Sequence, residues 1–345
     1  MRTANLAMRR LRLEATIERW PLKIPFHITG FTFRHSDVVT VTVSDGTHSG
    51  RGEGSGVFYR GDTAESVLAE VEAARELVES GASRDELRQE LPPGGGRNAI
   101  DCALWELEAG RAGRPVWRSV LDEAPRPLVT TCTIGADTPA AMAEGAIGFA
   151  EARAIKLKLV GDGLDAERVE AVRVARPDVW LAVDANQAFT PKSLRAITPA
   201  LVRANVMLIE QPLPVADDAA LAGYESPIPL AADESVQGLD DLPALAGRFD
   251  VVNIKLDKCG GLTEGLMMAQ AARRLGLKVM VGNMVGTSLA MAPSFVVGQF
   301  CDVVDLDGPL LLACDRSPSV RYEDGCIWCD DAVWGGGGLT LSSAR

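Results

Sequence analysis

The sequence predicts an α/β protein: a small α+β domain over residues 1–122, then a (β/α)7β barrel of parallel strands over 123–317. Three observations carry this. The first 60 residues are strand-like and give way to two helical stretches. From residue 128 onward, eight short strands rich in Val, Ile and Leu alternate with helical segments, the pattern of a parallel sheet covered on both faces. Polar residues then recur at the strand ends: Lys158, Asp184, Glu210, Asp233 and Lys255 are separated by 26, 26, 23 and 22 residues, and Asp305 follows 50 further on. So regular a repeat over eight strands is that of a closed barrel.

The elements follow in order. Leu11 to Trp20 reads as a strand, and Asp37 to Val43 alternates Val with Thr. Asp45-Gly46 is a turn signal before a return strand. Thr63 to Leu91 is helical, with Val67, Leu68, Val71 and Leu77 on its apolar face. PPGGG at 92–96 breaks it, and RNAIDCALWELEAG forms a second helix ending at Gly110. The barrel strands are LVTTCTI, AIKLKLV, VWLAVDAN, VMLIEQP, PLAADES, VVNIKLD, KVMVGN and DVVDLDG. Residues 318–345 lose the pattern and are expected to pack back on the first domain, with a flexible turn at Gly335–Gly338. GEGSG at 52–56 resembles a phosphate loop in its glycines only, since no GxxxxGK[ST] occurs.

Composition excludes several function classes. A net charge of -12 argues against a nucleic-acid or anionic membrane surface. The first 20 residues lack the apolar run of a signal peptide, and no stretch approaches membrane-spanning length. Seven cysteines, an odd number in a long chain, suit reduced thiols and a cytoplasmic protein. Cys326-x-x-Cys329 stands alone, so it reads as tail packing rather than a zinc site. The histidines, His27, His35 and His48, all lie in the first domain, leaving the barrel without a His base or ligand.

Barrel active sites form at the C-terminal ends of the strands. Three consecutive ends carry Asp184, Glu210 and Asp233. One such acid commonly caps the next helix. Three brought together repel unless protonated or bound to a cation, and an all-oxygen set suits Mg2+, or Mn2+, better than zinc. Lys158 and Lys255 flank the acids in otherwise apolar strands. They could face a bound carbon acid from opposite sides, one removing a proton and the other returning it. The base must be neutral, so its pKa must fall from about 10.4; Lys156 and a cation would lower that of Lys158, and the carboxylates would oppose them. Lys258, three residues past Lys255, is expected to point elsewhere.

These residues together resemble the enolase superfamily, in its muconate-lactonizing subgroup, through K-x-K (Lys156, Lys158), then Asp184, Glu210 and Asp233, then Lys255. The resemblance spans nearly the whole chain. It implies an enolase-like fold, with a TIM-like barrel beneath an N-terminal capping domain that carries the specificity loops. Within the subgroup the chain is most similar to dipeptide epimerases. Those enzymes carry a D-x-D on the eighth strand for the dipeptide's ammonium group, here Asp305 and Asp307 in DLDGPLLL. By the same resemblance Thr133 and Lys156 contact the substrate, Lys158 and Lys255 are the acid/base pair, and Asp184, Glu210 and Asp233 hold Mg2+. The implied reaction inverts the α-carbon of the C-terminal residue through an enediolate.

In FHITGFTFR, Gly30 stands where Ala-Glu epimerases carry an arginine for the side-chain carboxylate. A hydrophobic second residue is therefore expected, with Arg34 the one cation that could substitute. The rival reading within the subgroup is a cycloisomerase, an o-succinylbenzoate synthase or an N-acylamino acid racemase. Their substrates have no free ammonium for Asp305 and Asp307 to meet. A homo-oligomer is the expected assembly.

Overall fold

The computed structural model describes residues 10–336. The basic N-terminal stretch before residue 10 and Gly337–Gly338 of the expected glycine turn lie outside the described residues.

Three antiparallel strands open the chain: β1 (Arg12–Ile28), β2 (Phe31–Ser44) and β3 (Ser49–Ser55), in the order β1-β2-β3. β1 and β2 are longer than the sequence predicts. Their register shifts between Pro21 and Phe26, then resumes to pair Phe26 with Phe33 and Ile28 with Phe31. FHITGFTFR thus forms a hairpin tip, closed by Thr29 and by Gly30 at φ +76. Left-handed backbone there is open to glycine at no steric penalty.

The expected helix over 63–91 is three helices, Ala64–Ala73, Arg75–Glu79 and Arg84–Glu90. Gly81 turns left-handed at φ +94, and Ser83 accepts from the Glu86 amide to start the last one. The next helix runs through Gly110 over Gly95–Ala112 and stops at Gly113, φ +59. It lies directly on β3. A Cβ on Gly50, Gly52 or Gly54 would come within 2.1 Å of the carbonyls of Ala103, Ala99 or Gly95. The glycines of GEGSG therefore serve close packing and are not a phosphate loop.

The barrel strands are β5 (Thr131–Ile134), β6 (Ala154–Lys158), β7 (Trp180–Asp184), β8 (Val206–Glu210), β9 (Leu230–Ala232), β10 (Val251–Lys255), β11 (Lys278–Gly282) and β12 (Val303–Val304), after the short β4 (Leu128–Val129). They form one eight-stranded sheet in chain order, and every pairing given for it is parallel. Strands consecutive in the chain lie side by side in the sheet, as single helical crossovers favour. Helices follow the strands, among them Asp165–Ala175, Pro191–Arg203, Leu262–Arg274 and Ser288–Gly298. The eighth strand is shorter than expected and ends before the DLDG segment.

Period-two alternation divides the barrel interior into layers. Ala182, Leu208, Ala231, Val251 and Met280 pack together as one buried apolar cluster. Two residues further along the same strands stand Asp184, Glu210, Asp233, Asn253 and Gly282. On these five strands the polar side chains stand above an apolar plug, while on the first two strands Thr133 and Lys156 lie in register with it.

The chain then returns. β13 (Arg321–Glu323) and β14 (Cys326–Trp328) pair with β4, Trp334 Nε1 donates to the Arg51 carbonyl at 2.9 Å, and the Val116 amide donates to Gly335 O at 2.8 Å. Cys326 and Cys329 are free thiols in this tail. The first domain is held to the barrel by buried polar contacts: Asp257 Oδ1 accepts from the Ser55 amide and Asn98 Nδ2 at 2.8 and 2.9 Å, and Arg97 pairs with Glu264 at 2.9 Å. Among the described residues no helix is long and apolar enough to cross a membrane.

Candidate active site

Sheet register aligns the site. Lys158 lies beside Asp184, and Asp184 beside Glu210, on three neighbouring strands. Strand spacing of about 4.8 Å carries their side chains into one cluster. Asp184, Glu210 and Asp233 each offer an oxygen within 4.8 Å of the others, and all three are fully buried. Among the described residues this is the only such group of three His, Cys, Asp or Glu side chains, so the Cys-x-x-Cys is not part of one. None caps a helix: Asp184 Oδ1 accepts from the Asn186 amide at 2.9 Å and Glu210 Oε1 from Asn253 Nδ2 at 2.6 Å. Three buried hard oxygens with no thiol or imidazole fit Mg2+ or Mn2+.

The lysines complete the cluster. Lys158 Nζ is 2.5 Å from Asp184 Oδ2, and Lys255 Nζ is 2.6 Å from Asp233 Oδ2. Lys156 meets Glu210 Oε2 at 3.2 Å and bonds Asp305 Oδ2. Lys258 corrects the sequence reading. Instead of pointing away, it donates to Asp233 Oδ1 at 2.6 Å, to the Asp233 carbonyl at 2.5 Å and to the Asn253 carbonyl at 3.1 Å.

Burial pushes Glu210 up to about 7, with the Asp184 charge acting the same way. Burial also acts to raise Asp233, but Lys255 and Lys258 outweigh it and hold that carboxyl far below its usual range. Desolvation pulls Lys255 down, yet Asp233 and Glu210 outweigh it and hold its pKa above the ordinary value. For Lys258 desolvation prevails over Asp233 and its pKa is lowered.

Asp305 and Asp307 lie just past β12, both buried. Asp305 accepts from Lys156 and from the Thr131 hydroxyl, and Asp307 Oδ2 accepts from the Thr133 amide at 2.5 Å. Burial would raise Asp305, but Lys156 holds it below the ordinary value. Burial, then the Asp305 charge, pushes Asp307 up to about 6. The D-x-D therefore sits on the first two barrel strands, beside Thr133 and Lys156.

A cavity of about 380 Å³ opens above the cluster. Lys158, Asp233, Lys255 and Asn186 line its barrel side, and Phe26, Ile28, Phe33, Phe58, Met284 and Val285 make an apolar wall. Phe58 packs edge-on against Phe31, Phe33 and Tyr59 at 4.8, 5.2 and 5.3 Å. Thr29 at the hairpin tip donates to the carbonyls of Leu159 and Ala185, one residue past Lys158 and Asp184. Arg34 does not reach the cavity. It is exposed and alternates with Phe33 and His35, which line the wall.

Sequence reasoning missed Asn253, Thr131, Lys258, Asn186 and Tyr59. Asn253 carried a usable signal, because N-I-K places it on the same inward face as Lys255, as K-L-K does Lys156 and Lys158. Lys258 and Tyr59 carried none, since each lies outside a strand.

Comparison with known proteins gives two family models. One, described as mandelate racemase / muconate lactonizing enzyme, N-terminal domain, matches residues 11–120, and the other, enolase C-terminal domain-like, matches 140–342. The chain is 39% identical over 309 residues to the L-Ala-D/L-Glu epimerase of Escherichia coli K12, covering 89% of this chain and 96% of that protein. It is 43% identical over 252 residues to an N-acetyl-D-glutamate racemase of Pseudoalteromonas, covering 73% and 79%. Among solved structures it is similar to an Agrobacterium tumefaciens enolase family member with homology to dipeptide epimerases, with bound sodium and L-Ala-L-Glu, at TM-score 0.92 and 42% identity over 94% of this chain and 100% of that one. A dipeptide epimerase of Enterococcus faecalis V583, complexed with Mg and L-Leu-L-Tyr, aligns at TM-score 0.88 and 26% identity over 96% and 99%.

Proposed function

The chain belongs to the mandelate racemase/muconate lactonizing enzyme family of the enolase superfamily, and from that premise we propose that it is a Mg2+-dependent dipeptide epimerase, an isomerase. The observation that carries this is the row Lys158, Asp184, Glu210, Asp233 and Lys255, in which two lysines flank three buried carboxylates.

Asp184, Glu210 and Asp233 would hold the cation, which supplies positive charge beside the substrate carboxylate as negative charge develops there. Lys156 neutralises that side of the site from Glu210 and Asp305. One of Lys158 and Lys255, as the free amine, takes the proton when the Cα–H bond breaks. The other, as ammonium, returns a proton to the opposite face, so configuration inverts with no net redox change. Asp305 and Asp307 supply the negative charge for the dipeptide's ammonium group, with Thr133 holding Asp307. The rival substrates of the subgroup leave that charge unmatched.

The apolar wall of Phe26, Ile28, Phe33 and Phe58, with Gly30 lacking any side chain, suits a hydrophobic second residue better than glutamate. Seven free cysteines suit the cytoplasm, and a homo-oligomer is part of the same reading. The test is incubation of a library of L,L-dipeptides with the enzyme and Mg2+ in heavy water. The reading requires deuterium at the α-carbon of the C-terminal residue in certain peptides. Exchange confined to an N-acylamino acid, with none in any dipeptide, would favour the rival instead.

A further inference from the structure

We propose that Lys258 is a positioning residue which, with Asn253 and the Asn186 amide, leaves each of the three carboxylates one free oxygen. The site is thereby fitted to a small six-coordinate cation such as Mg2+ and against Ca2+. This rests on the cation-binding role given to Asp184, Glu210 and Asp233 above.

Every acid is tethered in the same way. Asp184 Oδ1 is taken by the Asn186 amide at 2.9 Å, Glu210 Oε1 by Asn253 Nδ2 at 2.6 Å, and Asp233 Oδ1 by Lys258 Nζ at 2.6 Å. The opposite oxygens meet the other three lysines: Asp184 Oδ2 meets Lys158, Glu210 Oε2 meets Lys156, and Asp233 Oδ2 meets Lys255. One oxygen of each acid is therefore committed to the scaffold, and the other faces groups that can yield to a cation.

The tethers are fixed for physical reasons. A backbone amide cannot swing away. Asn253 is fully buried and wedged against Gly282, where even a Cβ would come within 2.7 Å of its Oδ1. Lys258 spends all three ammonium protons on three buried acceptors, so any swing away would break all three bonds. Lys158 and Lys255 each meet a single carboxylate oxygen, the one a cation would take, so a bound cation would release both toward a substrate. The count of acceptors separates the one structural lysine from the two mobile ones.

Coordination chemistry then selects the ion. Ca2+ takes six to eight oxygens and commonly draws on bidentate carboxylates, whereas Mg2+ takes six in strict octahedral geometry and accepts one oxygen per carboxylate. Three single oxygens leave Mg2+ three positions for substrate and water. They withhold from Ca2+ the bidentate carboxylates it commonly draws on.

The test titrates Mg2+ and Ca2+ separately into metal-free wild type, K258M and N253L by calorimetry, with no substrate present. Loss of the Lys258 charge alters attraction for both cations alike, so the ratio of the two dissociation constants isolates geometry. Freeing Asp233 Oδ1, or Glu210 Oε1 in N253L, should shift that ratio toward Ca2+ by about tenfold. A purely structural role would lower the unfolding midpoint and leave the ratio unchanged. Should K258M fail to fold, N253L decides alone, because it frees a different oxygen by the same logic. A wild-type ratio in the folded variants overturns the inference and leaves the epimerase reading standing. Failure of the wild type to bind either cation overturns both.

Discussion

Lys255→Met separates the chemistry of the site from its architecture. The substitution keeps the length and apolar stem of the side chain and removes only the ammonium. Lys255 has one partner, Asp233 Oδ2, and Asp233 keeps Lys258 at 2.6 Å on its other oxygen. Leaving a buried charge without a partner typically costs about 3–5 kcal/mol. Here the carboxylate stays compensated, so the loss of stability should fall below that range. Removal of a general acid/base lowers the rate by 10² to 10⁴, and a central value of about 10³ is about 4 kcal/mol of transition-state stabilisation. Epimerisation should fall by that factor, while solvent deuterium still enters one enantiomer through Lys158. The assay follows both dipeptide epimers in heavy water by chiral chromatography and mass spectrometry. Epimerisation within about tenfold of wild type, with both epimers exchanging, would refute the two-lysine reasoning.

Further outcomes follow from other parts of the structure. Asp305→Asn should lower dipeptide turnover through KM and leave any activity on N-acylamino acids intact; equal loss on both would place Asp305 outside ammonium recognition. Gly30→Arg should raise kcat/KM for Ala-Glu relative to a hydrophobic dipeptide, since a Cβ at this φ of +76 meets nothing within 4 Å and left-handed backbone costs only about 1 kcal/mol. An unchanged preference would move the specificity determinant off the hairpin tip. Gly52→Ala forces a Cβ to within 2.0 Å of Ala99 O, and urea unfolding should register a loss of about 3 kcal/mol or more. Asp257 is pushed up by burial to about 6 in the folded state, against about 3.9 unfolded. Its favourable contribution is therefore complete below pH 4 and lost as pH rises through 6. Relative to Asp257→Asn, the wild type should lose about 3 kcal/mol between these limits. Parallel stability curves for the two proteins would contradict this.

Much of the site was legible because barrel strands obey a period of two and barrels a repeat near 25. Lys158, Asp184, Glu210, Asp233 and Lys255 announce themselves as polar residues at the ends of apolar strands, and the structure brings them within reach of one another. The third of the three helices over 63–91 is set off by Gly81 and Ser83, a stop and a start that hydrophobic periodicity overlooks. The cap hairpin extends beyond the strands expected at Leu11–Trp20 and Asp37–Val43, since Pro21 and the register shift before Phe26 hide the continuation of β1. Arg34 alternates with the cavity-lining Phe33 and His35, a parity that only the strand register at the hairpin tip fixes.

The sequence by itself determined the fold class, the layering of polar over apolar residues inside the barrel, and the identity of the acids and lysines at its mouth. All of these follow from local periodicity, which each strand carries within its own few residues. Tertiary structure alone decided which oxygen of each acid is tethered, that Lys258 turns back onto Asp233, and that the cap supplies an apolar wall. Those depend on contacts across intervals such as Lys258 to Asp233 or Thr29 to Ala185, where side-chain direction is set by packing that no strand or helix encodes alone.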